Sequence, residues 1–321
     1  MRQVPAVLAA VSLSLAVPAA GQPPGSARLR VQVSYPAALG AGPFDGRLLL
    51  LLSTDASQEP RFQVSDTALD SQQVFGIDVR GWRPGEAATF DAHVLGYPLE
   101  SLAQVPAGDY QVQALLHKYE TFRRADGHVV QLPMDRGEGQ QWNRAPGNLF
   151  STPRRLRVDP GQSQPLVLQL HQVMPPIPDP PESRYVRHER IRSERLSKFW
   201  GRDMYLGAHV LLPWGWDEHP DARYPLVIDH GHFSAQLEGF REQPPDPGLK
   251  PEYSERFHLE GYNRIMQEAA HQLYRDWTSP GFPRAIVVQI QHANPYYDDS
   301  YAVNSQNLGP YGDAINYELV P

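Results

Sequence analysis

Two stretches decide the fold of the C-terminal part of this chain: Tyr224-Pro-Leu-Val-Ile-Asp-His-Gly-His-Phe233 and Pro283-Arg-Ala-Ile-Val-Val-Gln-Ile-Gln-His292. Each is a short apolar run closed by a polar turn that carries histidine, the pattern of a buried strand feeding a loop. Between them Ile265, Met266, Ala269, Ala270, Leu273 and Trp277 recur at steps of three and four residues. That spacing predicts one apolar face of a helix over 262–277, packed as ordinary core. Ser279-Pro-Gly281 stops the helix. Strand, helix and strand in this order predict a βαβ unit, with a parallel pair and a right-handed crossover. Ligands of such open sheets bind at the carboxyl ends of the strands, so chemistry is expected first in the turns after Ile228 and Ile290.

Working outward, the linker comes next. Pro175-Pro-Ile-Pro-Asp-Pro-Pro181 favours extended polyproline II and lacks backbone donors, which marks residues 174–184 as a semi-rigid boundary. Before it, residues 26–173 read as short alternating strands. Leu29, Val31, Val33 and Tyr35 share one face, as do Tyr110, Val112, Ala114 and Leu116, and the run 46–52 is apolar apart from Arg47. Together they predict an N-terminal antiparallel β-sandwich. The stretch 107–114 loosely resembles the penultimate strands of immunoglobulin-like accessory domains, a likeness that specifies no function. The long polar loop 134–153 carries Trp142, Asn143 and Phe150, and two readings stay open for it: a lid or contact to the second half, or a loop packed over the sandwich edge.

Composition bounds the setting. Arg2, an uncharged apolar stretch over 4–17 and the small-residue run Pro18-Ala-Ala-Gly21 read as a secretory signal peptide spanning 1–21. The apolar stretch is shorter than the roughly 20 residues a membrane helix needs, so no spanning segment is expected. The chain has no cysteine, which excludes disulfides and a lipid-modified cysteine, and a bacterial periplasmic or secreted location is the expectation. A net charge of −7 with acids and bases interspersed argues against a nucleic-acid partner, and the alternating charges of 185–195 read as a solvated face. The oligomeric state is not readable.

From about residue 196 to the end, the chain resembles the esterase D-like family of serine α/β-hydrolases. The resemblance is carried by Arg223-Tyr-Pro-Leu-Val-Ile-Asp-His-Gly231 and by Asn307-Leu-Gly-Pro-Tyr-Gly-Asp-Ala-Ile-Asn-Tyr-Glu-Leu-Val-Pro321. It implies a multi-domain protein in which the β-sandwich precedes the first half of an α/β-hydrolase domain over 185–321, a parallel sheet with flanking helices. It also implies esterase-type hydrolysis of a small-molecule or polymer-linked ester, without a cofactor. In the family the turn at Gly231 supplies an oxyanion donor, which makes Gly231, His232 and Phe233 the oxyanion-hole candidates. The family places a large apolar residue or a second glycine where His232 stands.

The second candidate region is the loop 293–312. Tyr296, Tyr297, Asp299 and Asn304 give it the amphipathic, hydrogen-bonding character of a substrate pocket, although the same residue types also serve turns. No Gly-x-Ser-x-Gly elbow occurs, and Ser234 follows the oxyanion turn rather than a strand-to-helix elbow. No catalytic residue is therefore assigned within the chain, and the triad is expected beyond Pro321, with residues 313–321 read as the start of an interrupted amphipathic helix. Asp229, His230, His232 and His292 raise a metal reading, but the third and fourth ligands that a zinc site requires are not visible, and Asp298-Asp-Ser300 lacks a calcium ladder. The competing class is a secreted binding protein built on a degenerate hydrolase scaffold.

Overall fold

A computed structural model describes residues 29–66, 70–231, 236–254, 256–297 and 299–321. The expected signal segment 1–21 and two of the oxyanion candidates, His232 and Phe233, lie outside the described residues.

Alternation builds the first half. Strands β1 (Val31–Ser34), β2 (Phe44–Ser53), β3 (Gln73–Trp82), β4 (Ala88–Phe90), β5 (Gly108–Lys118), β6 (Glu120–Arg123), β7 (Val129–Leu132) and β8 (Leu166–Gln169) follow one another along the chain. A small sheet runs in the order β8-β1-β4, and a larger one has β5, β2 and β3 at its centre. Val31 and Val33 of one sheet share a buried cluster with Leu48, Leu50, Phe75, Val112 and Ala114 of the other. The opposite face of the larger sheet is also covered, because Leu51 and Leu115 pack with Phe150 and Met174. Burial on both faces explains why the 48–52 part of β2 reads as an unbroken apolar run instead of an alternating one. The expected wholly antiparallel sandwich needs one correction: β1 and β8 run parallel, in register from Val31 opposite Leu166 to Ser34 opposite Gln169.

The second half contains β9 (Val186–Ser193), α1 (Glu194–Trp200), β10 (Met204–Leu211), β11 (Leu226–Asp229), α2 (Tyr262–Trp277), β12 (Ile286–Gln291) and α3 (Tyr311–Ala314). Its sheet has the order β9-β10-β12-β11. The expected α/β-hydrolase half, a parallel sheet flanked by helices, is not what forms. Both β9–β10 and β10–β12 are antiparallel, leaving β11–β12 as the one parallel pair of this sheet. The physical reason is connection length. Only α1 and three further residues separate β9 from β10, too little for a crossover, whereas α2 bridges β11 and β12. Nor do helices cover the sheet. Of the three α-helices among the described residues only α2 exceeds two turns, and on it Trp277 alone is buried while Ile265 and Met266 of its apolar face stay exposed. No described helix is long and apolar enough to cross a membrane.

The two halves interlock through the β6–β7 hairpin. Phe122 of β6 is fully buried among Leu196, Trp200, Met204, Leu206, Ile290 and Tyr311, and its ring meets Trp200 edge to face at 5.2 Å. Gly201 caps α1 at φ +67°, and a Cβ there would lie 2.1 Å from the Arg123 carbonyl oxygen, so only glycine lets the helix end seat against β6. Gly127, at the hairpin tip, also has a positive φ of +88° but faces open space. Gly201→Ala should therefore cost more than about 3 kcal/mol, strain plus collision, and Gly127→Ala only about 1 kcal/mol. Urea unfolding of the two variants checks this; equal losses would show that the close approach carries no weight.

Candidate functional site

The parallel register sets Leu226 opposite Ile286 and Asp229 opposite Gln289, so β11 and β12 finish side by side and their two turns meet. His230 and His292 stack there with ring centroids 5.4 Å apart, His230 Nδ1 lying 3.4 Å from His292 Nε2. Below them Gln289 Nε2 donates to Asp229 Oδ2 at 2.7 Å, and its Oε1 accepts from the Glu238 N–H at 2.9 Å. Gly231 passes directly over this amide, since a Cβ would sit 3.2 Å from Gln289 Cγ. Among the described residues the Gly231 N–H finds no acceptor, leaving a backbone donor at the mouth of the two turns.

His292 is buried, and its Nδ1 lies 2.8 Å from Ser300 Oγ and 3.7 Å from Asp299 Oδ1. Asp299 also accepts from the Tyr301 N–H at 2.9 Å. Serine, histidine and aspartate thus come together, but not as a catalytic triad. A triad needs the nucleophile and the acid on opposite ring nitrogens, whereas here both approach Nδ1 and the other nitrogen faces His230. Ser300 is moreover fully buried. The cluster braces the loop after β12: Ser300 N–H donates to the His292 carbonyl, and the buried Tyr311 hydroxyl reaches the Ala293 carbonyl from the other side. No three His, Asp or Glu side chains among the described residues gather as a metal-holding group.

The middle of the loop is held by the first half of the chain. Tyr297, at φ +62°, donates its hydroxyl to Glu138 Oε1 at 2.8 Å and meets the His117 ring edge to face at 5.1 Å. Asp135, Glu138 and His117 are all buried. Burial pushes the Glu138 carboxyl up from its usual range and the neighbouring Asp135 charge pushes it further; burial likewise raises Asp135. The Tyr297 phenol is pushed far up by burial and then by Glu138, so it keeps the proton that it donates to Glu138. Desolvation brings the His117 imidazole down to about 4. Of the two readings of the loop 134–153, the segment around Glu138 reaches the second half, whereas Asn143 exchanges hydrogen bonds with Arg61 on the sandwich.

The other pocket candidates lie elsewhere. Tyr296 packs 5.9 Å from Trp200 and accepts from Arg124 Nη1 at 3.2 Å, which places it with the interlocking core. Asn304 pairs reciprocally with Asp313, donating to its carboxylate and accepting its N–H, both at 2.9 Å, and fixes the start of α3. Sequence reasoning missed Asp135, Glu138 and His117. The alternation that assigns Val112, Ala114 and Leu116 to the sandwich core leaves His117 on the other face, a signal available without coordinates. Asp135-Arg-Gly-Glu-Gly139 is a turn pattern, and nothing local in it foretells a partner 159 residues away.

No protein-family model matches this sequence, and no curated protein matches it.

The buried imidazole predicts a pH dependence. As pH falls from the ordinary 6.5 towards 4, the unfolded chain binds a proton that folded His117 refuses. Stability is thus complete above 6.5 and is lost on the way down to 4, by about 3 kcal/mol over the window. Asp135 and Glu138, with raised values, act with the opposite sign: their stabilisation is present at low pH and is lost as pH rises. The difference in unfolding free energy between the native chain and His117→Gln isolates the histidine, and should narrow by that amount between pH 7 and pH 4.

Proposed function

We propose that the paired turns after β11 and β12 form the acyl-binding and oxyanion-holding part of an exported esterase-type hydrolase acting on a small-molecule or polymer-linked ester. One observation carries the reading: the Gly231 N–H, held over the Gln289 amide and without a protein acceptor among the described residues, directly follows His230, whose ring stacks on His292. A developing oxyanion needs such a preset donor, and losing one typically costs about 2.7 to 4 kcal/mol of transition-state stabilisation. Two features support the reading. The segments 223–231 and 307–321 resemble the esterase D-like serine hydrolases, and the N-terminal 21 residues have the form of an export signal. The serine elbow pattern is absent from the sequence and Ser300 is buried on the wrong nitrogen, so these residues supply binding and charge stabilisation rather than the nucleophile.

The reading has a direct test with the 321-residue chain. An ester isostere, N-(4-nitrophenyl)butyramide, should bind saturably and shift the NMR signals of the Gly231 amide and of the His230 and His292 rings. The activated ester 4-nitrophenyl butyrate should give no acyl-enzyme burst. Signals that stay unmoved throughout the titration would remove the acyl-binding assignment.

A further inference from the structure

A second concave site lies on the sandwich, away from the histidine turns. The β6–β7 hairpin overhangs the end of the β5-β2-β3 sheet and encloses a cleft of about 440 Å³, within the roughly 300–1,000 Å³ of small-molecule sites. Its lining is unlike an apolar drug-type pocket: Asp78, Arg80, Tyr119 and Gln131 converge on it, with Val129 at the rim and Gly46 on the floor. The floor is backbone by necessity, because a Cβ on Gly46 would fall 2.3 Å from the His117 carbonyl oxygen.

The cleft is also built. Asp45 ties its walls together, accepting from Gln131 Nε2 at 2.6 Å, from the Gly81 N–H at 2.7 Å and, through its carbonyl, from the Tyr119 N–H at 2.8 Å. The Asp78 charge is met by Arg47 Nη1 at 3.0 Å. Arg80 makes no ion pair or hydrogen bond among the described residues, and the Tyr119 hydroxyl has no hydrogen-bond partner there. The cleft therefore offers an aromatic face, an amide, a neutralised carboxylate and one uncompensated guanidinium.

We propose that this cleft binds an acidic saccharide, its Tyr119 ring stacking on the C–H face of a sugar and Arg80 pairing with a uronate carboxylate. Sugars join an apolar ring face to a rim of hydroxyls, which an amphipathic aromatic surrounded by planar amide and carboxylate groups matches. The fork of an arginine fits a carboxylate through two parallel hydrogen bonds, and in a protein of net charge −7 an unpaired guanidinium selects for that group. Location ties the cleft to the turns described above. Tyr119 meets His117 edge to face at 6.0 Å, and His117 meets Tyr297 at 5.1 Å, so a chain of three rings runs from the cleft to the loop beside His292. The further step, that the ester is carried on such a saccharide, rests on the acyl-binding reading; the cleft assignment does not.

Calorimetric titration of the full chain tests it, with trigalacturonate, a glucuronate trisaccharide and a neutral trisaccharide of matched linkage as probes. At least one uronate should bind saturably and more tightly than its neutral counterpart. Arg80→Gln should weaken that binding at least about tenfold while leaving the neutral probe unchanged, as expected for loss of a charged hydrogen bond. Tyr119→Ala should weaken both probes, and Tyr119→Phe, which keeps the ring, should retain most of the affinity. Arg80 is exposed, so its variant should unfold at the native temperature and give an interpretable null. Absence of saturable binding by both uronates, or binding that survives Arg80→Gln and Tyr119→Ala undiminished, overturns the assignment. A chain that binds uronate while the Gly231 amide ignores the butyramide probe supports the cleft and sinks only the acyl reading.

Discussion

The rest of the structure depends on the burial of one aromatic ring from the first half of the chain in the core of the second. Phe122 arrives on a hairpin and completes a cluster whose other members come from α1, β10, β12, α3 and the turn that follows α3. Burying such a ring contributes roughly 1.5 to 3 kcal/mol, and the edge-to-face meeting with Trp200 adds to it. The contact is reinforced by backbone, because Ala125 N–H donates to the Phe199 carbonyl at 2.7 Å and Gly201 admits Arg123 at a distance no other residue would allow. The proline-rich stretch between the halves thus spans parts already locked together. With the hairpin docked, β5 ends where His117 must face Tyr297, and the loop after β7 delivers Glu138 to the same phenol.

That delivery raises an electrostatic problem which the local sequence solves. Two carboxylates in a buried loop repel each other and lose their hydration, a cost that is tolerable only when each oxygen is satisfied. Asp135 takes N–H groups from Gly137 and Gln140 at 2.8 and 2.9 Å, and Glu138 takes the Arg136 N–H at 2.7 Å. Both glycines of the run adopt positive φ, as does Gln140, so the chain can fold its own donors inward. Among the described residues, the side chain from the second half that joins this network is a neutral one, the Tyr297 hydroxyl. A cation there would have lowered the carboxyl pKa values strongly; with a phenol in its place, burial keeps both raised. The loop 293–300 is consequently pinned at its base by the His292 cluster and at its middle by Glu138.

What could be read from the sequence follows the range of the interactions. The strands ending at Asp229 and Gln291 and the helix Tyr262–Trp277 were legible because each is encoded by local periodicity. The fate of the helix face was not. Periodicity says that Ile265 and Met266 share a side with Trp277, but not that they stay exposed while Trp277 is buried, its indole N–H bonded to the Leu212 carbonyl at 2.8 Å. The parallel sheet failed as an expectation for a related reason. The βαβ pattern covers two strands, and the remaining two are placed by a connection too short to cross over. At the site, Gly231 and Asp299 were visible as turn and loop chemistry, whereas the Glu138–Tyr297 bond depends on the hairpin docking and has no local signature. Tyr296 and Asn304 have the composition of pocket residues but serve packing and capping, roles that composition does not separate from binding.

Register links the sheet to the site. His188, His209, Gln289 and Asp229 lie directly opposite one another across all four strands of the second sheet, forming a polar row from one edge to the other. Its members pair within the row, His188 Nδ1 with His209 Nδ1 at 2.6 Å and Gln289 with Asp229. The residues one step away on β10, β12 and β11, Ala208, Ile290, Val288 and Ile228, face or flank the core that holds Phe122. Side chains alternate along a strand, so a slip of one residue in any of these strands would drive a histidine or an amide into that core and expose an aliphatic residue in exchange. The polar row therefore costs some burial energy but excludes every neighbouring register. Because Gln289 both belongs to the row and carries Gly231 on its amide, the same constraint that fixes the sheet fixes the height of the turn at its end.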